Sequence, residues 1–178
     1  MSLKASVLVA ALTFAVGVLL GLLLHRIPAK PGPPQAVDTT AVIPAQPTAP
    51  DLPRTLLDST RLDLTGDGTP ERLALYVDAA RDSKGRLVWD DGQRWALVAR
   101  TDSDAYVLFN RFVQLGAVRF WIVDLQQPGT PPIVVTLTET GAGVRATRYQ
   151  FDPEQEGFRT DSIFDVAGNV LYNWSLDE

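Results

Sequence analysis

The sequence predicts an all-β domain, either a small sandwich or a set of blade-like antiparallel sheets, preceded by one transmembrane helix. Three observations carry this. After Arg54, apolar residues recur with period two in short runs. Clusters of Gly, Pro and Asp punctuate the runs. One β-branched stretch, Ile133-Val134-Val135-Thr136-Leu137, has the make-up of a central strand.

In chain order the first element is apolar. Ala5 to Leu24 is a run of 20 residues without a charge, and a helix of that length spans about 30 Å, the depth of a bilayer core. The run ends in Leu22-Leu23-Leu24-His25-Arg26, without the small residues of a signal-peptide cleavage site, so residues 1–26 are expected to be an uncleaved membrane anchor. Lys4 on one side and Arg26 and Lys30 on the other nearly balance, so flanking charge sets no orientation. A periplasmic or extracellular C-terminal domain is expected, because calcium is plentiful there. Gly17 and Gly21 form a GxxxG pair, which allows a helix-mediated dimer.

Residues 27–53 hold 8 of the chain's 13 prolines and read as a stalk of extended polyproline character. Fully drawn out, such a segment reaches about 80 Å. The β-domain is expected over 54–178. Leu73, Leu75 and Val77 alternate in one strand, and Trp95, Leu97 and Ala99 in another. Further strands follow at Tyr106–Phe109, Val118–Val123, Ile133–Leu137, Val144–Phe151 and Phe158–Val166. Tyr106–Leu115 also fits a short helix. Breaks fall at Asp82–Gly85, Asp90–Gly92, Pro128–Pro132, Gly141–Gly143 and Asp152–Gly157.

Composition narrows the chemistry. There is no cysteine, and the one histidine, His25, sits at the end of the apolar run. The domain therefore lacks thiol nucleophiles, thiolate metal sites and an imidazole base. From Asp51 onward 13 Arg/Lys face 20 Asp/Glu, a net charge of −7. No basic stripe is interleaved with aromatics, so nucleic acid is not an expected partner.

The most informative stretch is Asp63-Leu-Thr-Gly-Asp-Gly-Thr-Pro-Glu71. Asp63, Asp67 and Glu71 supply carboxylates, Thr65 a hydroxyl and Thr69 a backbone carbonyl, the mixture of oxygens that suits calcium. Gly66 and Gly68 allow the left-handed backbone such a loop needs. The same residues also make a tight hairpin turn, with Asp63 and Asp67 capping backbone amides. An ungapped match follows 61 residues later, Asp124-Leu-Gln-Gln-Pro-Gly-Thr-Pro131, which keeps the turn but has Pro128 and Pro132 where the first copy has Asp67 and Glu71. A duplicated strand–loop–strand unit is expected.

The acidic loop between strands, with its degenerate second copy, resembles the FG-GAP/VCBS-type repeats of bacterial surface proteins. In that family an Asp-rich loop at the start of each blade binds calcium. The resemblance implies the same role for Asp63, Asp67 and Glu71, with Thr65 departing from the family's usual acidic or amide residue and Glu71 from its Asp. Two units cannot close a propeller. The loop also resembles the first half of an EF-hand, but Ala74 stands where the twelfth-position glutamate would be, so an EF-hand is rejected.

Other constellations are weaker. Gly141-Ala-Gly-Val-Arg-Ala146 matches a dinucleotide-binding pattern, yet a strand follows it instead of the required helix. Asp90-Asp91 and Asp102/Asp104 are carboxylate pairs of the kind glycan hydrolysis uses, but they lie in turn-like stretches. Trp89, Trp95, Trp121 and Trp174 are read mainly as core residues. Asn173-Trp-Ser175 has the form of a glycosylation triplet. The expected function is a non-enzymatic, membrane-anchored envelope protein whose β-domain binds a protein or surface polymer. An accessory single-pass subunit of a membrane assembly is the alternative, and a carboxylate-dependent glycan hydrolase a distant third.

Overall fold

The computed structural model describes residues 41–47 and 51–168, and every regular element among them is a strand. The expected anchor at residues 1–26, the Gly17/Gly21 pair, most of the stalk, Trp174 and the Asn173 triplet lie outside the described residues. Among the described residues no helix is long and apolar enough to cross a membrane.

Eleven strands are present: β1 Ala41–Pro44, β2 Thr55–Leu62, β3 Glu71–Val77, β4 Ala80–Arg81, β5 Leu87–Val88, β6 Gly92–Arg100, β7 Ala105–Gln114, β8 Val118–Val123, β9 Ile133–Thr140, β10 Gly143–Asp152 and β11 Gly157–Ala167. They form two main open sheets and one small hairpin, all antiparallel. One sheet runs β2-β3-β6-β7, the other β1-β11-β10-β9-β8, and β4-β5 stands apart. Without β1 and the β4-β5 hairpin, each sheet is a four-stranded meander, β2-β3-β6-β7 and β8-β9-β10-β11, taken in chain order. The repeat seen in the sequence marks the first hairpin of each meander.

Period-two alternation explains most of the pairing. Leu73, Leu75 and Val77 on β3 and Trp95, Leu97 and Ala99 on β6 face the same cluster as Val118, Val134, Tyr149 and Phe158 of the other sheet. The two sheets thus share one hydrophobic core. At one edge of it Tyr106, Phe151 and Phe158 meet edge-to-face, with ring centroids 5.1, 5.4 and 5.9 Å apart, the arrangement aromatic quadrupoles favour.

β7 is a strand, not the short helix that Tyr106–Leu115 also allowed. A register shift against β6 between Leu97 and Val98 marks a bulge. The extra residue breaks the alternation, so Tyr106, Phe109 and Val113 all reach the core. Their spacing of three and four residues is also that of a helix face, which explains the ambiguity.

The stalk expected over 27–53 does not extend unbroken to Arg54. Ala41–Pro44 pairs with β11, and Ile43 sits opposite Phe158 and packs on the core. Gln46 then exchanges backbone hydrogen bonds with Ala105 at the edge of the other sheet, at 2.8 and 2.9 Å. One short stretch therefore joins the β11 and β7 edges. Farther on, Arg94 donates to the Asp51 carbonyl at 2.7 Å, and Leu52 packs against Ala96, Val98 and Ala105 on the outer face of β6 and β7. Short apolar pieces between prolines suffice here because they only have to complete existing sheets.

Candidate metal centre

The acidic loop connects β2 to β3 at the end of the first sheet. Gly66 and Gly68 take φ of 80° and 88°, the left-handed region that L side chains avoid. Those two positions bend the chain so that Asp63, Asp67 and Glu71 converge. One carboxylate oxygen from each lies within 4.8 Å of the others.

The loop's own hydrogen bonds hold the three groups in place. Asp63 accepts from the Gly66 amide at 2.6 Å through one oxygen and from the Gly68 amide at 2.9 Å through the other. Asp67 accepts from the Thr69 amide at 2.7 Å. Glu71 is buried, and its Oε2 accepts from the amides of Leu64 at 2.7 Å and Thr65 at 3.2 Å, while the Thr65 hydroxyl donates to its Oε1 at 3.2 Å. Thr65 is thus joined to the cluster through Glu71. Thr69 meets it through its N–H, on Asp67.

These bonds are those of a capped turn, and they leave capacity for more. Each carboxylate oxygen has two lone pairs, so an oxygen bonded to one amide still has one to offer. Two oxygens on the same calcium ion, at 2.3–2.6 Å each, stand at most about 5 Å apart, whereas magnesium at 2.0–2.1 Å holds them within about 4.2 Å. Oxygens that all lie within 4.8 Å of one another are close enough to share one calcium ion. An all-oxygen donor set of three carboxylates fits a hard cation. The negative field reaches into the core: burial pushes the Tyr106 phenol above its ordinary pKa, and the charges of Asp104, Glu71, Glu156 and Asp67 add to that shift.

The second copy lies beside the first. It connects β8 to β9, the counterpart hairpin of the other meander, and Gly129 repeats the left-handed turn of Gly68 with φ of 74°. Asp124 accepts from the Gln126 amide at 2.7 Å, as a turn cap. The two loops approach each other where the Pro131 ring would meet a side chain placed at Gly66. Pro128 and Pro132 bring no carboxylate to that site.

The remaining candidates are dispersed. Gly141-Ala142 turns β9 into β10, the hairpin expected there in place of a nucleotide loop. Asp90 and Asp91 are exposed just before β6, and Asp102 and Asp104 lie in the β6–β7 turn, where the Thr101 hydroxyl and the Asp104 backbone bond each other. The tryptophans depart from expectation. Trp95 is in the core, but Trp89 is 54% exposed and stacks on it at 5.8 Å, and Trp121 is 48% exposed on the edge strand β8. Trp121 alternates with Val118, Phe120 and Ile122, which pack on the core, so its indole leaves by the outer face of the sheet.

Comparison with protein-family models, curated proteins and solved structures yields no match. What the structure carries is an all-β unit with an acidic Asp63/Asp67/Glu71 cluster, and no family match accompanies it.

Proposed function

We propose that this chain is a membrane-anchored envelope protein. Its sandwich-like β-unit is displayed in the periplasm or outside the cell, is stabilised by one calcium ion, and binds a protein or surface polymer. The convergence of the Asp63, Asp67 and Glu71 carboxylates supports the calcium site. The ion would be held by those three groups, with the Thr65 hydroxyl and the Thr69 carbonyl as further oxygens, and it would offset their mutual repulsion. Its role is to stiffen the β2–β3 loop, not to catalyse. The apolar run from Ala5 to Leu24 serves as the anchor, and the Gly17/Gly21 face as the place for a second helix.

The test is thermal melting of the compact unit from Ala36 onward with EGTA, calcium or magnesium. At a hundredfold excess over Kd, calcium adds about 2.7 kcal/mol, which for a domain of this size raises Tm by about 10 °C. Asp67→Ala abolishes the gain, and magnesium gives a smaller one. An unchanged Tm in millimolar calcium rejects the metal site. Display is tested separately, by protease access to the β-unit in intact cells against spheroplasts.

A further inference from the structure

Arg61 on β2 stands directly opposite Arg72 on β3, and Arg72 directly opposite Arg100 on β6. Residues opposite one another on neighbouring strands share a face, so three guanidinium side chains leave one sheet in a single row. The face is the outer one, because Leu73 and Ala99, next to Arg72 and Arg100 in the chain, belong to the core. Strands lie about 4.8 Å apart, so the backbone positions that carry the row repeat at about that interval across about 10 Å. It ends at Ala105, the register partner of Arg100, where Gln46 closes the edge.

Like charges placed directly opposite destabilise a sheet, and this row has no internal compensation. Among the described residues no ion pair or side-chain hydrogen bond engages the guanidinium groups of Arg61, Arg72 or Arg100. The other sheet behaves differently, since Arg119, Arg145, Arg148 and Arg159 each pair with a carboxylate. Carboxylates outnumber cations from Asp51 onward, 20 to 13, so the absence of partners is not a shortage of acids. Glu71, adjacent to Arg72, is turned into the fold and occupied by the loop amides.

The geometry points to this row as a binding site for a linear acidic polysaccharide carrying one carboxylate per sugar, so that successive carboxylates meet successive strands. Arginine suits the task because its planar fork takes a carboxylate in two parallel hydrogen bonds. The inference deepens the surface-polymer reading and rests on it for the unit's display, but it does not depend on calcium.

The experiment measures binding of the full-length chain, in detergent and EGTA, to polygalacturonate, with dextran as the neutral control. The parent binds polygalacturonate and not dextran, and rising salt releases it. The triple variant Arg61→Gln, Arg72→Gln, Arg100→Gln binds at least tenfold more weakly and melts no lower than the parent, because it has lost only repulsion. Arg145→Gln with Arg159→Gln, on the other sheet, changes binding less than twofold. Arg72→Lys keeps the charge without the fork and binds about threefold more weakly, which decides the matter if the triple variant fails to fold. Binding of the parent to neither polymer, or equal binding of Arg72→Lys and parent, overturns the site. Binding confined to phosphatidylglycerol vesicles or to inorganic phosphate overturns the polysaccharide assignment. With EGTA present throughout, failure here leaves the calcium melting test standing, and the protease-access test reports display independently.

Discussion

Glu71 holds the loop together at the level of single atoms. It is 1% exposed, and both of its oxygens accept hydrogen bonds from Leu64 and Thr65. Leu64 is itself fully buried, so its amide has no water to turn to. Glu71→Ala is expected to cost about 1–3 kcal/mol, the penalty of an orphaned buried donor, read as a lower urea midpoint at unchanged slope. Asp67→Ala, at an exposed position bonded only to the Thr69 amide, is expected to cost within about 0.5 kcal/mol in EGTA. At this scale the sequence was legible where chemistry and backbone agree: the glycines flanking Asp67 announce the turn, and the three acids share it. The inward orientation of Glu71 was not legible, because an acid at the start of a strand reads equally well as facing solvent. The arginine row was hidden for a different reason. Its members are far apart in the chain and only the register unites them.

Strands with their own hydrophobic rhythm were readable, and strands completed by a neighbour were not. β3, β6, β8 and β9 bury alternate or continuous apolar residues and announce themselves. β2 is polar along most of its length and largely exposed, since it closes the edge of a sheet through backbone bonds and sends few side chains into the core. β1 is shorter still and lies among prolines. Its contribution is nonetheless structural: Ile43 covers the fully buried Phe158, and Gln46 ties on the second sheet. Deleting residues 41–47 from the unit that begins at Ala36 is expected to cost about 3 kcal/mol, the burial of one large apolar side chain plus a few net hydrogen bonds. Chemical denaturation reports it, and an unchanged midpoint would show that β1 only decorates the edge.

Two four-stranded meanders sharing one core make the stability of the molecule a joint property. Tyr149 lies in that core, its hydroxyl 3.5 Å from the Thr136 hydroxyl, and burial pushes its phenol pKa up against the opposing pull of that contact. Above about pH 10 the unfolded chain releases this proton first. The native state then binds more protons than the unfolded one, so stability falls as pH rises toward the elevated native value. Urea midpoints are expected to decline across that window, and Tyr149→Phe to make the decline shallower. That each meander opens on a similar hairpin loop was visible from eight aligned residues. The way the halves face each other was not, because alternation marks which face of a meander is covered but not what covers it.

The entry of the chain through β1 also bears on mechanics. Tension arriving from the residues before Ala41 meets β1 before any other strand. A pull along its axis loads the β1–β11 hydrogen bonds together, in shear, instead of peeling them apart one at a time. The weakest-looking strand of the sheet is thus placed where its few bonds resist force collectively, and the Gln46 bridge spreads the remaining load to the second sheet.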